Sequence, residues 1–220
     1  MKYDKIYPDI LSAVVITRVS DRVATELGLR PEHKSCGIIT ATIDDFLFIA
    51  LDDATKKAHV QVTYAKSFYG GNPNSSSKLQ GEGIGIIAGE DVSEVKAAME
   101  AVLEFHESGC VYAVSCNDDD SITYLAYTVS SVGGYFSDSL GIAQGSALAY
   151  LVGPPIETIY GADAAAKASN AELVKFYGPP TETNCGGAMF VGSQSDCVAA
   201  CGAFGRAIQE VADHPVHVLR

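Results

Sequence analysis

Basic residues are scarce. The 220-residue chain holds 15 Lys and Arg against 27 Asp and Glu, a formal charge of −12 at pH 7. Nucleic acid is held mainly by clustered Lys and Arg against phosphate, and no such cluster occurs, so a nucleic-acid partner is excluded. No apolar run reaches the roughly 18 residues that a membrane-spanning helix needs, and the start MKYDKIYPDI is too polar for a secretory signal. The expectation is a cytoplasmic protein without a membrane partner. Six cysteines are present, Cys36, Cys110, Cys116, Cys185, Cys197 and Cys201. Cys197 and Cys201 stand at i, i+4, yet no His or second Cys pair lies at structural-zinc spacing, and most are expected to pack as small core residues. G-x-S-x-G and P-loop motifs are missing, and His106-Glu107 lacks the second His of a zinc-protease helix. Gly83-x-Gly85-x-x-Ala88 lies inside an expected strand instead of after one, which defeats dinucleotide binding. No catalytic residue, metal or cofactor is expected.

What the chain does have is a repeated phrase. DATKKA at 53 returns as DAAAKA at 163, both ending in Lys-Ala. Val19 with Leu27-Gly28-Leu29 matches Val132 with Leu140-Gly141-Ile142. AGEDVSEVKAAMEAVLEF from Ala88 matches VGSQSDCVAACGAFGRAI from Val191, each a Gly, a polar cap and an Ala-rich helix. Internal repetition decides fold organisation, so it is read first. The two copies are placed at 10–108 and 109–211, giving domains 1–108 and 109–220.

Each copy reads as an α/β sandwich. ILSAVVITRV and SITYLAYTVSSV are β-branched, aromatic-rich strands, and KSCGIITA, HVQVTYAK and GEGIGIIAG follow the same rule. DFLFIAL is also read as a strand, joined to KSCGIITA by a turn at Asp44-Asp45. SDRVATELGL is a short helix with Ser20 as cap and Gly28 at its end. The longest helix carries Val92, Val95, Met99, Val102 and Phe105 at spacings of three and four, one buried stripe. SFYGGNPNSSSKLQ is rich in Gly, Asn and Ser and reads as an exposed loop, whereas Pro179-Pro180 stiffens its counterpart YGPPTETNCGG.

The repeated phrase also carries a resemblance. ADAAAKASNAEL, DDATKKA, YAKSFYGG, AYLVGPPIETIYGADAAAKA, PPTETN and GSQSDCVAACGAF together resemble tandem-domain bacterial microcompartment shell proteins of the ethanolamine-utilization L type, across essentially the whole chain. The resemblance implies two fused, permuted α/β sandwich domains of the microcompartment (BMC) type in a pseudo-hexameric homotrimer. It implies a non-enzymatic shell tile that assembles with other shell proteins and passes small polar metabolites, such as ethanolamine or a related amino alcohol. A small-molecule sensor with an interdomain site and no tiling is the alternative.

Site residues follow from the same resemblance. Lys57 and Lys167 would lie at tile edges, or else be ordinary solvated helix residues. Lys66, Ser67, Phe68, Tyr69, Gly70, Gly71 and Asn72 would belong to a moving loop at a central pore, or to a plain surface loop. Asp44, Asp45, Glu82, Tyr112, Thr183 and Asn184 would line a narrow channel between the two domains, where carboxylates and a ring suit an ammonium group. Otherwise Asp44-Asp45 is a turn and Glu82 a strand-edge charge. Two departures stand out: Tyr112 replaces the family's usual Phe, and Ser131, Val132 and Gly134 replace an Arg, a Thr and a Ser. Such a pore would lose a cation, and the cargo would then differ from ethanolamine.

Overall fold

The structure is a computed structural model and describes residues 1–68 and 81–216. The first part of the chain forms β1 (Lys5–Ile6), β2 (Ile10–Ile16), α1 (Asp21–Glu26), β3 (Ser35–Ala41), α2 (Asp44–Ala54), β4 (Gln61–Phe68), β5 (Glu82–Gly89) and α3 (Val92–Glu107). The rest forms β6 (Ala113–Ser115), β7 (Thr123–Val129), α4 (Gly134–Leu140), β8 (Ala147–Gly153), α5 (Pro155–Ala168), β9 (Glu172–Tyr177), β10 (Gly186–Gly192) and α6 (Gln194–Asp213). Mixed strands and helices confirm the expected α/β class.

The described residues fall into two compact units. The N-terminal unit comprises Pro8–Val111 and Val132–Gln144; the C-terminal unit comprises Met1–Tyr7, Tyr112–Ser131 and Gly145–Arg220, of which the last four residues lie outside the described part. Each unit therefore borrows a segment from the other half of the chain. In the N-terminal unit the antiparallel sheet runs β2-β3-β5-β4; in the C-terminal unit it runs β1-β6-β7-β8-β10-β9. Apart from the β1-β6 extension, the two orders correspond strand for strand. Even the irregularity repeats, since β4–β5 shifts register between Val62 and Tyr64 and β9–β10 between Met189 and Phe190.

Burial explains most elements. On α3, Val95, Met99 and Val102 are buried, as the stripe at spacings of three and four requires, and Asp91 caps its N-terminus by accepting the Ser93 amide at 2.8 Å. On α6, Cys197, Ala200, Phe204 and Ile208 pack with Leu151 and Phe190 in the C-terminal core. Gly28 stands just past α1 at φ +67°, as a helix terminator should. Ser20 occupies the N-cap position of that helix, but its side chain makes no capping hydrogen bond.

One expectation is corrected. DFLFIAL is not a strand; it lies within α2, and Asp44-Asp45 forms the first helical turn instead of a β-turn. Two carboxylates there face the positive end of the helix dipole. Phe46, Leu47, Ile49, Ala50, Leu51 and Ala54 are all buried, so the continuous apolar run reflects a helix enclosed on several sides. The helix also ends sooner than DATKKA implies, with Thr55 as C-cap and Lys56 and Lys57 in the turns beyond.

Candidate functional site

The N-terminal unit brings Asp44, Asp45 and Glu82 to one place. Asp44 opens α2, its amide donating to the Gly81 carbonyl at 2.9 Å, and the Asp45 amide donates to the Asp44 carboxylate at 2.9 Å. Glu82 opens β5 beside it. A Cβ on the next residue, Gly83, would come within 2.7 Å of Asp44 Cα, so only glycine lets strand and helix starts approach this closely. Asp44 and Glu82 are both buried, each 5% exposed. Burial, reinforced by the neighbouring Asp45 charge, holds the Asp44 carboxyl well above the ordinary carboxylate range.

The same corner receives the end of β4, and here the loop expectation is corrected: Lys66, Ser67 and Phe68 continue the strand, held by their pairing with β5. Pairing of β4 with β5 sets Lys66 opposite Ile84, Ser67 opposite Gly83 and Phe68 opposite Glu82. Ser67 hydrogen-bonds the Asp44 carboxylate. Two sites read separately in the sequence thus share a hydrogen bond. Tyr69, Gly70, Gly71 and Asn72 lie outside the described residues.

Tyr112, Thr183 and Asn184 belong to the C-terminal unit. The Tyr112 ring meets Tyr7 edge-on at 5.6 Å between centroids, and Lys5 Nζ lies 4.3 Å from the Tyr112 centroid. A cation already sits against this ring, within cation–π range. Thr183 is buried and bonds to Thr181, while Asn184 adopts the left-handed conformation that Asn tolerates best among larger residues.

Lys57 and Lys167 occupy matching positions. Lys57 reaches back to Asp53 at 3.2 Å and Lys167 to Asp163 at 2.5 Å, both at i, i+4. Lys56 shares the Asp53 carboxylate at 2.8 Å. The Lys167 side chain is 73% exposed, and the Lys57 side chain 46%.

The segment that departs from the family pattern has a structural duty. Gly133 and Phe136 donate their amides to the two Asp52 carboxylate oxygens at 2.7 and 2.9 Å, and the Gly134 amide donates to Thr55 Oγ1 at 2.7 Å. Asp52 is fully buried, and desolvation raises its pKa despite these donors. Sequence reasoning missed Asp52 and Thr55. The available signal was a carboxylate on the buried face of an apolar helix, which demands a partner. For Lys5, more than 100 residues from Tyr112 in sequence, there was no local signal.

Two α/β units with matching strand order, each pinned by a segment from the other half of the chain, define a duplicated, permuted sandwich. The BMC domain model matches residues 35–117. A microcompartment shell protein EutL from Clostridium perfringens is 52% identical, over 98% of this chain and 99% of that protein. EutL from Salmonella typhimurium is 41% identical, over 97% of each. The crystal structure of EutL from Leptotrichia buccalis superposes with a TM-score of 0.93 at 49% identity, covering 99% of this chain and 100% of that one. The class is therefore the bacterial microcompartment shell proteins. Within it, the chain belongs to the EutL family, whose place is structural, in the shell of an ethanolamine-utilization microcompartment.

Proposed function

We propose that the chain works as a homotrimeric tile without catalytic activity, passing small polar metabolites through the shell. One observation carries the trimer. On α5, Ile156, Ile159 and Tyr160 are 70%, 56% and 43% exposed. Their counterparts on α2, aligned through the DAAAKA and DATKKA phrases, are Phe46, Ile49 and Ala50, which are all buried. Phe46 stacks on Phe105 at 6.2 Å, and α4 is anchored at the C-terminal end of the same helix through Asp52. The counterpart of α4 is α1, which buries none of its residues. Among the described residues the α5 face thus has no cover, while α1 rests on its own core only through Ala24. A second copy would cover the α5 face and more of α1, and head-to-tail pairing of this kind closes into a ring when the rotation from chain to chain completes a circle. Three chains contribute six similar units, the number a hexagon-like tile needs.

The acidic corner formed by Asp44, Asp45 and Glu82 is the entry point we assign to a cationic amino alcohol, with Tyr112, Thr183 and Asn184 as its further contacts. Buried carboxylates favour a cation that replaces lost hydration. The Ser67 bond to Asp44 supports assigning Tyr69 through Asn72, which follow Lys66, Ser67 and Phe68 of β4, to a gating loop at the central pore. Lys57 and Lys167 are assigned to the tile edges, where other shell proteins would pack. Residues 1–108 and 109–220 are assigned as the two domains that carry the repeated copies, distinct from the compact units. Light scattering on Ile156→Asp together with Ile159→Lys tests the trimer: the variant should run as a folded monomer, and an unchanged mass would remove this face from the interface.

A further inference from the structure

A cavity of about 440 Å³ opens in the C-terminal unit between α6, Tyr124 of β7 and Tyr3. It borders the α5 face assigned to the trimer, since Tyr160 donates to its Glu210 at 3.4 Å. Three features set it apart from ordinary surface.

The first is Gln209, 8% exposed, on the cavity wall. Its Nε2 donates to the Cys116 carbonyl at 3.1 Å and to Asp213 at 3.0 Å, which fixes the amide orientation. Its Oε1 is buried and has no hydrogen-bond partner among the described residues. A buried acceptor left without a donor is costly and calls for an occupant.

The second is a pair of opposite charges held apart. Arg206 and Glu210 stand at i, i+4, the spacing at which helical ion pairs form. No ion pair joins them, and none engages either residue among the described residues; Glu210 accepts a long hydrogen bond from the Tyr160 hydroxyl at 3.4 Å, which leaves its charge unmatched. The Arg206 guanidinium instead lies over Gly202, with Nη1 3.3 Å from where a Cβ would stand. Asp213, by contrast, is neutralised by Lys2 at 2.6 Å.

The third is Gly202 itself. Glycine is a poor residue for the interior of a 20-residue helix. Gly205 has a packing reason, because its Cβ would strike Tyr124 Oη at 2.7 Å. Gly202 has none, since only the mobile end of Arg206 lies near. Its lack of a side chain leaves the cavity open.

We propose that this cavity binds a small zwitterion of the amino-carboxylate class. The carboxylate pairs with Arg206, the ammonium donates to Gln209 Oε1 and to the Glu210 carboxylate, and the carbon skeleton rests against Tyr3 and Tyr124. A neutral polyol would leave both charges unmatched, and a simple anion would leave the Glu210 charge without a counter-charge and Gln209 Oε1 without a donor.

Isothermal titration calorimetry of the full chain with L-serine tests the assignment. Saturable binding at one site per chain is expected, weakened at least tenfold by Arg206→Gln and by Gly202→Leu, and unchanged by Glu82→Gln, which separates this site from the acidic corner. Excess propionate or ethanolamine, each with one of the two charges, should compete poorly. Circular dichroism confirms that the variants fold; should Gly202→Leu fail to, Arg206→Gln decides alone. Absence of saturable binding, or equal binding by the folded variants, would overturn the proposal and leave a water-filled cavity.

Discussion

The Asp52 carboxylate accepts the Gly133 amide at 2.7 Å, joining the end of α2 to the start of α4 across 81 residues of sequence. With Phe136 on its other oxygen, this buried carboxylate is the clamp that seats α4 in the N-terminal unit. Removing it by Asp52→Ala strands two buried amides and should destabilise the protein by about 2–3 kcal/mol. Gly133→Ala should be worse tolerated, since its Cβ would lie 2.3 Å from the Asp52 carbonyl oxygen. Chemical denaturation measures both, and a change near zero for Asp52→Ala would show that α4 is held by other contacts.

Asp44 gives a pH signature. Its pKa is raised in the folded state, so between the unfolded value, about 3.9, and the raised value the folded protein holds a proton that the unfolded chain has lost. Stability from this group is present below that window and is lost as pH rises through it. Asp44→Asn should flatten this part of the profile and raise the melting temperature relative to wild type above the window. A parallel offset at every pH would show that Asp44 titrates normally.

Amino-alcohol recognition at the acidic corner should depend on the same group. Glu82→Gln combined with Asp44→Asn is expected to lower ethanolamine affinity at least several-fold in calorimetry. If Asp44 is protonated before binding, wild-type binding should also release protons, seen as heat that varies with buffer ionisation enthalpy. Equal affinity in the double variant would remove both residues from the site.

Lys167 separates assembly from folding. Its partner Asp163 lies on the same exposed helix face, and such solvated pairs contribute little to stability. Lys167→Ala should therefore leave melting temperature and trimer mass unchanged while reducing the extent of two-dimensional sheets in electron micrographs. Sheets of normal extent would return Lys167 to the ordinary solvated residues.

Much of this architecture was legible in the sequence because duplication leaves two readings of each element. The phrases at 53 and 163 align two helices whose starts correspond, although α2 ends at Ala54 and α5 runs through Ala168, and α3 is fixed by its apolar stripe. What misled was DFLFIAL, where β-branched and aromatic residues fit a strand as well as a fully enclosed helix, and periodicity cannot separate the two. The exchange of Val132–Gln144 and Met1–Tyr7 between units was not legible, because it depends on the tertiary bonds of Asp52 and on the pairing of Lys5–Ile6 with Ala113–Val114. The acidic corner was visible as separate carboxylates; the Ser67 bond to Asp44 was not.

The central claim is the trimer, and native mass measures it most directly. Size exclusion with light scattering at micromolar protein and physiological salt should give a particle of three chains of 23.1 kDa, about 69 kDa. A clean monomer at that concentration, with α5 still presenting Ile156 and Ile159 to solvent, would contradict the account.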